Sequence, residues 1–167
     1  MARRKGLVIS DEQMKVIDGV LSKLHQLTGS NFVALISTSG QPITVSPADV
    51  QSDTLSLAAL AAGSFAATRQ LAEVLKEREF TLLFHEGKES NLHVIQVTDQ
   101  ILMLLTFGHD TQVGLVRLYT TRALEVLQPI LERAAEGNGD DRLMDKDYSL
   151  EVGSALDDLF PEQDAQG

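Results

Sequence analysis

The 167-residue chain contains no cysteine, which excludes a disulfide framework, thiolate-bound zinc, iron–sulfur ligation and thiol catalysis. It has no tryptophan, and aromatic residues make up only 5% of it. That is too little to build the stacking platforms on which single-stranded nucleic acid binds. Positive charge is short as well, with 14 Lys and Arg against 24 Asp and Glu and a net charge of −10. Neither a phosphate backbone nor an anionic membrane is an expected partner. No apolar run approaches the roughly 18 residues of a spanning helix. Arg3, Arg4 and Lys5 lie near the start, but the polar stretch from Ser10 to Asp18 stands where a signal peptide needs an apolar core. A cytoplasmic protein without membrane insertion is expected. Hydrophobic residues, at 43%, are plentiful enough for a real core.

The negative charge is concentrated. From Ala134 to the end there are ten acids against Arg142 and Lys146, a net of −8, which leaves −2 for everything before it. A segment so acidic and poor in apolar residues reads as a flexible tail. The run Gly137-Asn138-Gly139-Asp140-Asp141 marks its beginning, because neither glycine nor clustered Asp favours helix. The expected organisation is an extension over 1–9, a globular domain over 10–135, an acidic flexible linker over 136–149 and a C-terminal tail over 150–167.

Within the domain, Ser10 and Gln13 form a capping-box pattern that opens a helix to about Thr28. Val16, Ile17, Val20, Leu21, Leu24 and Leu27 recur along it at helical spacing, and Gly29 suits the stop. The apolar run Phe32–Ile36 and then Pro42–Val45 predict two short strands, with Pro42 at a strand start or sheet edge. Asp53 can cap a second helix from about Thr54 to Lys76. Thr81–His85, Leu92–Val97 and Ile101–Phe107 predict three more strands, and Leu115–Ala135 a last helix that Pro129 should kink or shorten. The order αββαβββα with short connections predicts an α+β fold, an α/β sandwich in which a five-stranded antiparallel sheet is flanked by helices.

The second helix is unusual. Stepping 100° per residue places Leu57, Leu60, Ser64, Thr68, Leu71 and Leu75 in one sector, the expected core stripe. The opposite sector holds Leu55, Ala59, Ala62, Gly63, Ala66, Gln70 and Glu73. A solvated face normally carries Lys, Glu and Gln, whereas this one is Ala and Gly across its middle. Small residues at i, i+4 spacing let another backbone come close, and Gly63 costs about 1 kcal/mol of helix propensity relative to Ala. Ala59, Ala62, Gly63, Ala66 and Gln70 are therefore candidate contacts for a partner protein or a second copy. The plainer alternative is a quiet surface filled by a good helix former.

Chemistry is hard to find elsewhere. His85 and His93 sit on consecutive strands and would face each other across a hairpin, but no third ligand presents itself, so no metal and no cofactor are expected. No nucleophile elbow, phosphate loop or dinucleotide fingerprint occurs. The chain reads as a non-enzyme. In the tail, Val152, Leu156, Leu159 and Phe160 fall at i, i+4, i+7 and i+8, one face of a short amphipathic helix able to dock on a partner groove. The alternative there is a frayed acidic end.

Three strings carry a resemblance: Ser52–Gly63 (SDTLSLAALAAG), Phe80–Gly87 (FTLLFHEG) and Gly114–Leu118 (GLVRL), followed in the tail by Leu156–Phe160 (LDDLF). With the element order, they resemble the Roadblock/dynein light chain family over residues 10–135, and in particular a bacterial branch of it. The resemblance implies the Roadblock fold and a homodimer whose sheets join. It also implies a small Ras-like GTPase docked across the central helices of both copies, through Ala59, Gly63, Ala66 and Gln70. In that branch the dimer is a GTPase-activating protein in bacterial cell polarity and gliding motility, acting without an inserted arginine and concentrated in places at a cell pole. The C-terminal segment binds a separate surface of the GTPase and assists nucleotide exchange. Arg69 and Gln70 depart from the smaller residues usual in the branch. A scaffold that recruits a GTPase without speeding hydrolysis is the alternative.

Overall fold

The computed structural model describes residues 6–49 and 53–136, together with 153–154 and 157–158. Its order is α1 (Asp11–Thr28), β1 (Phe32–Ser37), β2 (Pro42–Ser46), α2 (Thr54–Val74), β3 (Leu82–Glu86), β4 (Asn91–Thr98), β5 (Ile101–Phe107) and α3 (Val113–Ala135). Each helix start has a local cause where a cap is present. Ser10 accepts from the Gln13 amide and Gln13 answers on the Ser10 amide, completing the capping box. Gly29 ends α1 in the left-handed region, at φ 63°, where glycine is favoured.

The five strands form one antiparallel sheet in the order β2-β1-β5-β4-β3. The central strands β1 and β5 are apolar at nearly every position because both of their faces are covered. Val33, Leu35, Met103, Leu105 and Phe107 meet α1 and α3 on one face. Phe32, Ala34, Ile36, Leu102 and Leu104 meet α2 on the other.

Pro129 does not end α3. The helix runs through it to Ala135, because Pro129 and Glu125 both lie on the solvent side while Val126, Leu127, Ile130 and Leu131 anchor the flanking turns in the core. Nor do His85 and His93 face each other. His93 pairs with Phe84 and His85 with Leu92, so the strand alternation sends the two rings to opposite faces.

The expected core stripe of α2 is also corrected. Leu60, Leu71 and Leu75 are exposed and Leu57 is only half-buried, while the residues turned to the sheet are Ala58, Ala61, Ala62, Phe65 and Ala72. The small side chains let the helix axis sit close to β1 and β5, and Phe65 fills the remaining depth. One contact shows how close the approach is. Gly40, in the β1–β2 turn, has φ 91°, and a Cβ there would stand 2.9 Å from the Cα of Ala59. Gly40→Ala is expected to destabilise the protein by about 2 kcal/mol through left-handed strain and a backbone clash. A urea midpoint equal to wild type would show that the turn or helix yields without cost.

Candidate docking surface on the central helix

Helix α2 begins where the Asp53 carboxylate accepts from the Ser56 amide at 3.2 Å. Hydrogen bonds from Ser56 hold that carboxyl below its ordinary pKa. The helix ends at Val74, and Lys76 follows in the left-handed region at φ 59°. The Glu77 amide closes the end on the Ala72 carbonyl at 2.9 Å.

With Ala58, Ala61, Ala62, Phe65 and Ala72 turned inward, the outward face contains Ala59, Gly63, Ala66 and Gln70, all exposed or half-buried. Ala62 does not belong with them. It is 4% exposed and part of the core under the helix, because it lies on the same inward sector as Phe65. Ala59 has an intramolecular reason to be small, since the Gly40 turn rests against it. Gly63 has none: nothing stands within 4 Å of the position its Cβ would take. A mid-helix glycine is therefore kept on an open face at a cost in helix propensity.

Beside this strip lies the feature that periodicity missed. Leu60 is 69% exposed, Leu71 57%, Val74 78% and Leu75 65%. Scattered apolar side chains on a surface are ordinary, whereas these lie along one helix beside a strip of small residues. The missed signal was Phe65, the largest side chain of the helix, which sits about 80° from Leu57 on the helical wheel and so draws the inward sector away from the leucines.

Arg69 does not join the outward face. It is half-buried, with its guanidinium over the Phe65 ring at 5.3 Å from the centroid and hydrogen-bonded to Oε1 of Gln96 on β4. The other ionisable group with an altered environment is far from this face. His93 is 1% exposed, on the side of the sheet covered by α3, with neither ring nitrogen hydrogen-bonded. Burial, with a smaller contribution from the Arg117 guanidinium, lowers its pKa to about 4. Val152, Leu156, Leu159 and Phe160 lie outside the described residues.

The arrangement is a three-layer domain, with α1 and α3 on one face of the sheet and α2, bearing the exposed leucines, on the other. Residues 16–107, more than half of the chain, match the Roadblock/LC7 domain family, and the chain belongs to that family. Among curated proteins no sequence matches. Among solved structures, MglB of Myxococcus xanthus is similar at 34% identity and a TM-score of 0.66, over 70% of this chain and 94% of that one. The gliding protein MglB from Thermus thermophilus is similar at 30% identity and a TM-score of 0.70, over 77% and 97%. A further MglB structure, in a tetrameric arrangement, is 29% identical with a TM-score of 0.69, over 77% and 97%. The strings at Ser52–Gly63, Phe80–Gly87 and Gly114–Leu118 thus point to the same family and branch as these relatives.

Proposed function

We propose that two copies of this chain form a platform on which a small Ras-like GTPase docks, and that docking accelerates the GTPase's own hydrolysis of GTP. The observation that carries this reading is the outward face of α2, where Gly63, Ala66 and Gln70 leave room for another backbone beside exposed Leu60 and Leu71. The likeness to MglB supports it. None of Ala59, Gly63, Ala66 and Gln70 is a general base or a nucleophile. Acceleration comes instead from binding the GTPase's hydrolysis-competent conformation more tightly than its resting one. A 100-fold acceleration requires a preference of roughly 2.7 kcal/mol, within reach of one well-packed helix face. Self-association is supported by the tetrameric MglB relative, and a role in gliding motility by the name of the Thermus protein. The segment bearing Val152, Leu156, Leu159 and Phe160 acts as a second, tethered contact on the GTPase that aids nucleotide exchange. A flexible coil of 13 residues, the length of 137–149, would span roughly 20 Å, enough to reach across a docked GTPase.

Single-turnover GTP hydrolysis by the cognate small GTPase, with and without this protein, tests the reading. Hydrolysis should rise with protein concentration and saturate. Binding without acceleration would establish the scaffold reading in its place. A chain ending at Ala135 should keep the acceleration and slow exchange, and unchanged exchange would remove the tail from the mechanism.

A further inference from the structure

The outward face of α2 is positioned by little apolar packing. In the C-terminal half of the helix, Ala72 is the one buried residue after Phe65, and an Ala side chain offers little surface to hold a helix in place. Between them stands a polar chain. Arg69 lies over Phe65 at 5.3 Å from the ring centroid and donates to Oε1 of Gln96. Nε2 of Gln96 donates to Oδ1 of Asp99 in the β4–β5 turn at 3.4 Å. The Gln96 amide donates to the Thr81 carbonyl at 2.9 Å, and Phe65 packs on Phe80 at 4.9 Å between centroids.

We propose that Arg69 is a positioning residue: its tie to Gln96 sets how the C-terminal half of α2 sits on β4, and so where Ala66, Gln70 and Leu71 stand for a docking protein. The guanidinium is directed inward. Gln70 lies one helical step of about 100° away, and Leu71 a further step, so Arg69 does not point from the docking face toward a bound nucleotide. A planar guanidinium that stacks on an aromatic ring and donates in a fixed plane is suited to this task, and Lys is not. Gln96 is the matching half of the device. It links an element that carries the surface to the strand beneath and to the turn beyond, and Asp99 fixes the direction of its amide.

The inference rests on the proposed docking role only for what the surface binds. The experiment is a saturation series in which hydrolysis by the cognate small Ras-like GTPase is followed against concentration of full-length protein, for wild type, Arg69→Ala, Gln96→Ala, Gln96→Glu and the double Ala variant. Amide hydrogen exchange of Ala66–Val74 is measured on the same proteins without GTPase. Arg69→Ala and Gln96→Ala should each raise the half-saturating concentration about 5- to 10-fold, leave the maximal rate within about twofold and speed exchange across Ala66–Val74. The double variant should be no worse than Arg69→Ala, since both substitutions remove the same bond. Gln96→Glu keeps an acceptor for Arg69 but loses the donor to Asp99 and sets two carboxylates side by side, so it should fall between wild type and Gln96→Ala. A maximal rate reduced by about 100-fold in Arg69→Ala, with half-saturation unchanged, would make Arg69 a group acting at the phosphates and overturn the proposal. Unchanged half-saturation and unchanged exchange would overturn it too. If wild type does not accelerate hydrolysis, the activation reading fails on its own, and the exchange measurements still decide whether the tie holds the helix.

Discussion

Ala66→Arg should fold as stably as wild type and bind the GTPase roughly 100-fold more weakly, a loss of about 2.7 kcal/mol. Ala66 is exposed on α2, with Gly63 and Gln70 beside it, so a long side chain there meets solvent in the free protein. In the complex it would hold the partner's backbone away from the helix, or bury a charge with no counter-ion. Urea unfolding and a binding titration on the same preparation separate the outcomes. A stability loss in the range of core substitutions, roughly 2–5 kcal/mol, would place Ala66 inside the fold. Unchanged affinity would move the docking site off α2.

The second large effect concerns pH. His93 is buried without a hydrogen-bond partner on either ring nitrogen, and its pKa is lowered from 6.5 to about 4. The folded protein therefore holds this ring neutral, while the unfolded chain takes up a proton near pH 6.5. Stability associated with His93 is fully present above about pH 6.5 and falls as the pH drops toward 4, by about 3 kcal/mol across the whole window. Between about pH 7.5 and about pH 5 the loss should be about 2 kcal/mol. Carboxylates titrate in the lower part of the same range, so the control is His93→Leu, unfolded in urea at matched protein concentration. That variant should lose the pH-dependent part and be at least as stable as wild type at about pH 5. An identical pH slope in both proteins would show that His93 does not carry the effect.

Much of the fold is legible in the sequence because its signals agree. Ser10, Gln13 and Gly29 bound α1 as caps do, and the leucines between them fall on one sector that the sheet then covers. The continuous run Phe32–Ile36 reads as a strand buried on both faces, and it lies beside β5 at the middle of the sheet. Gly87, in one of the recognised strings, is required by the β3–β4 turn, where a Cβ would fall 2.4 Å from the Ser90 carbonyl oxygen. In α2 the signals conflict. Ranking side chains by hydrophobicity puts the leucines inside, whereas the space over β1 and β5 admits alanine and a single Phe65. That Gly63, Ala66 and Gln70 share an open face is legible all the same, because their helical spacing places them together opposite the buried sector. Arg69 was visible only as a departure from the small residues expected. Its partner Gln96 lies 27 residues away, and no local pattern links the two.

The two edges of the sheet are not equivalent. Strand β2 begins with Pro42, which has no N–H to donate, and its register against β1 slips between Leu35 and Ile36. Strand β3 pairs with β4 in unbroken register from Leu82 to Glu86. One edge is thus a regular template and the other a blunted one. A symmetric union through β3 would use up the template of both copies and turn only the irregular edges outward. Growth by strand addition would then stop at two, because the edges left outward are poor templates for a third copy.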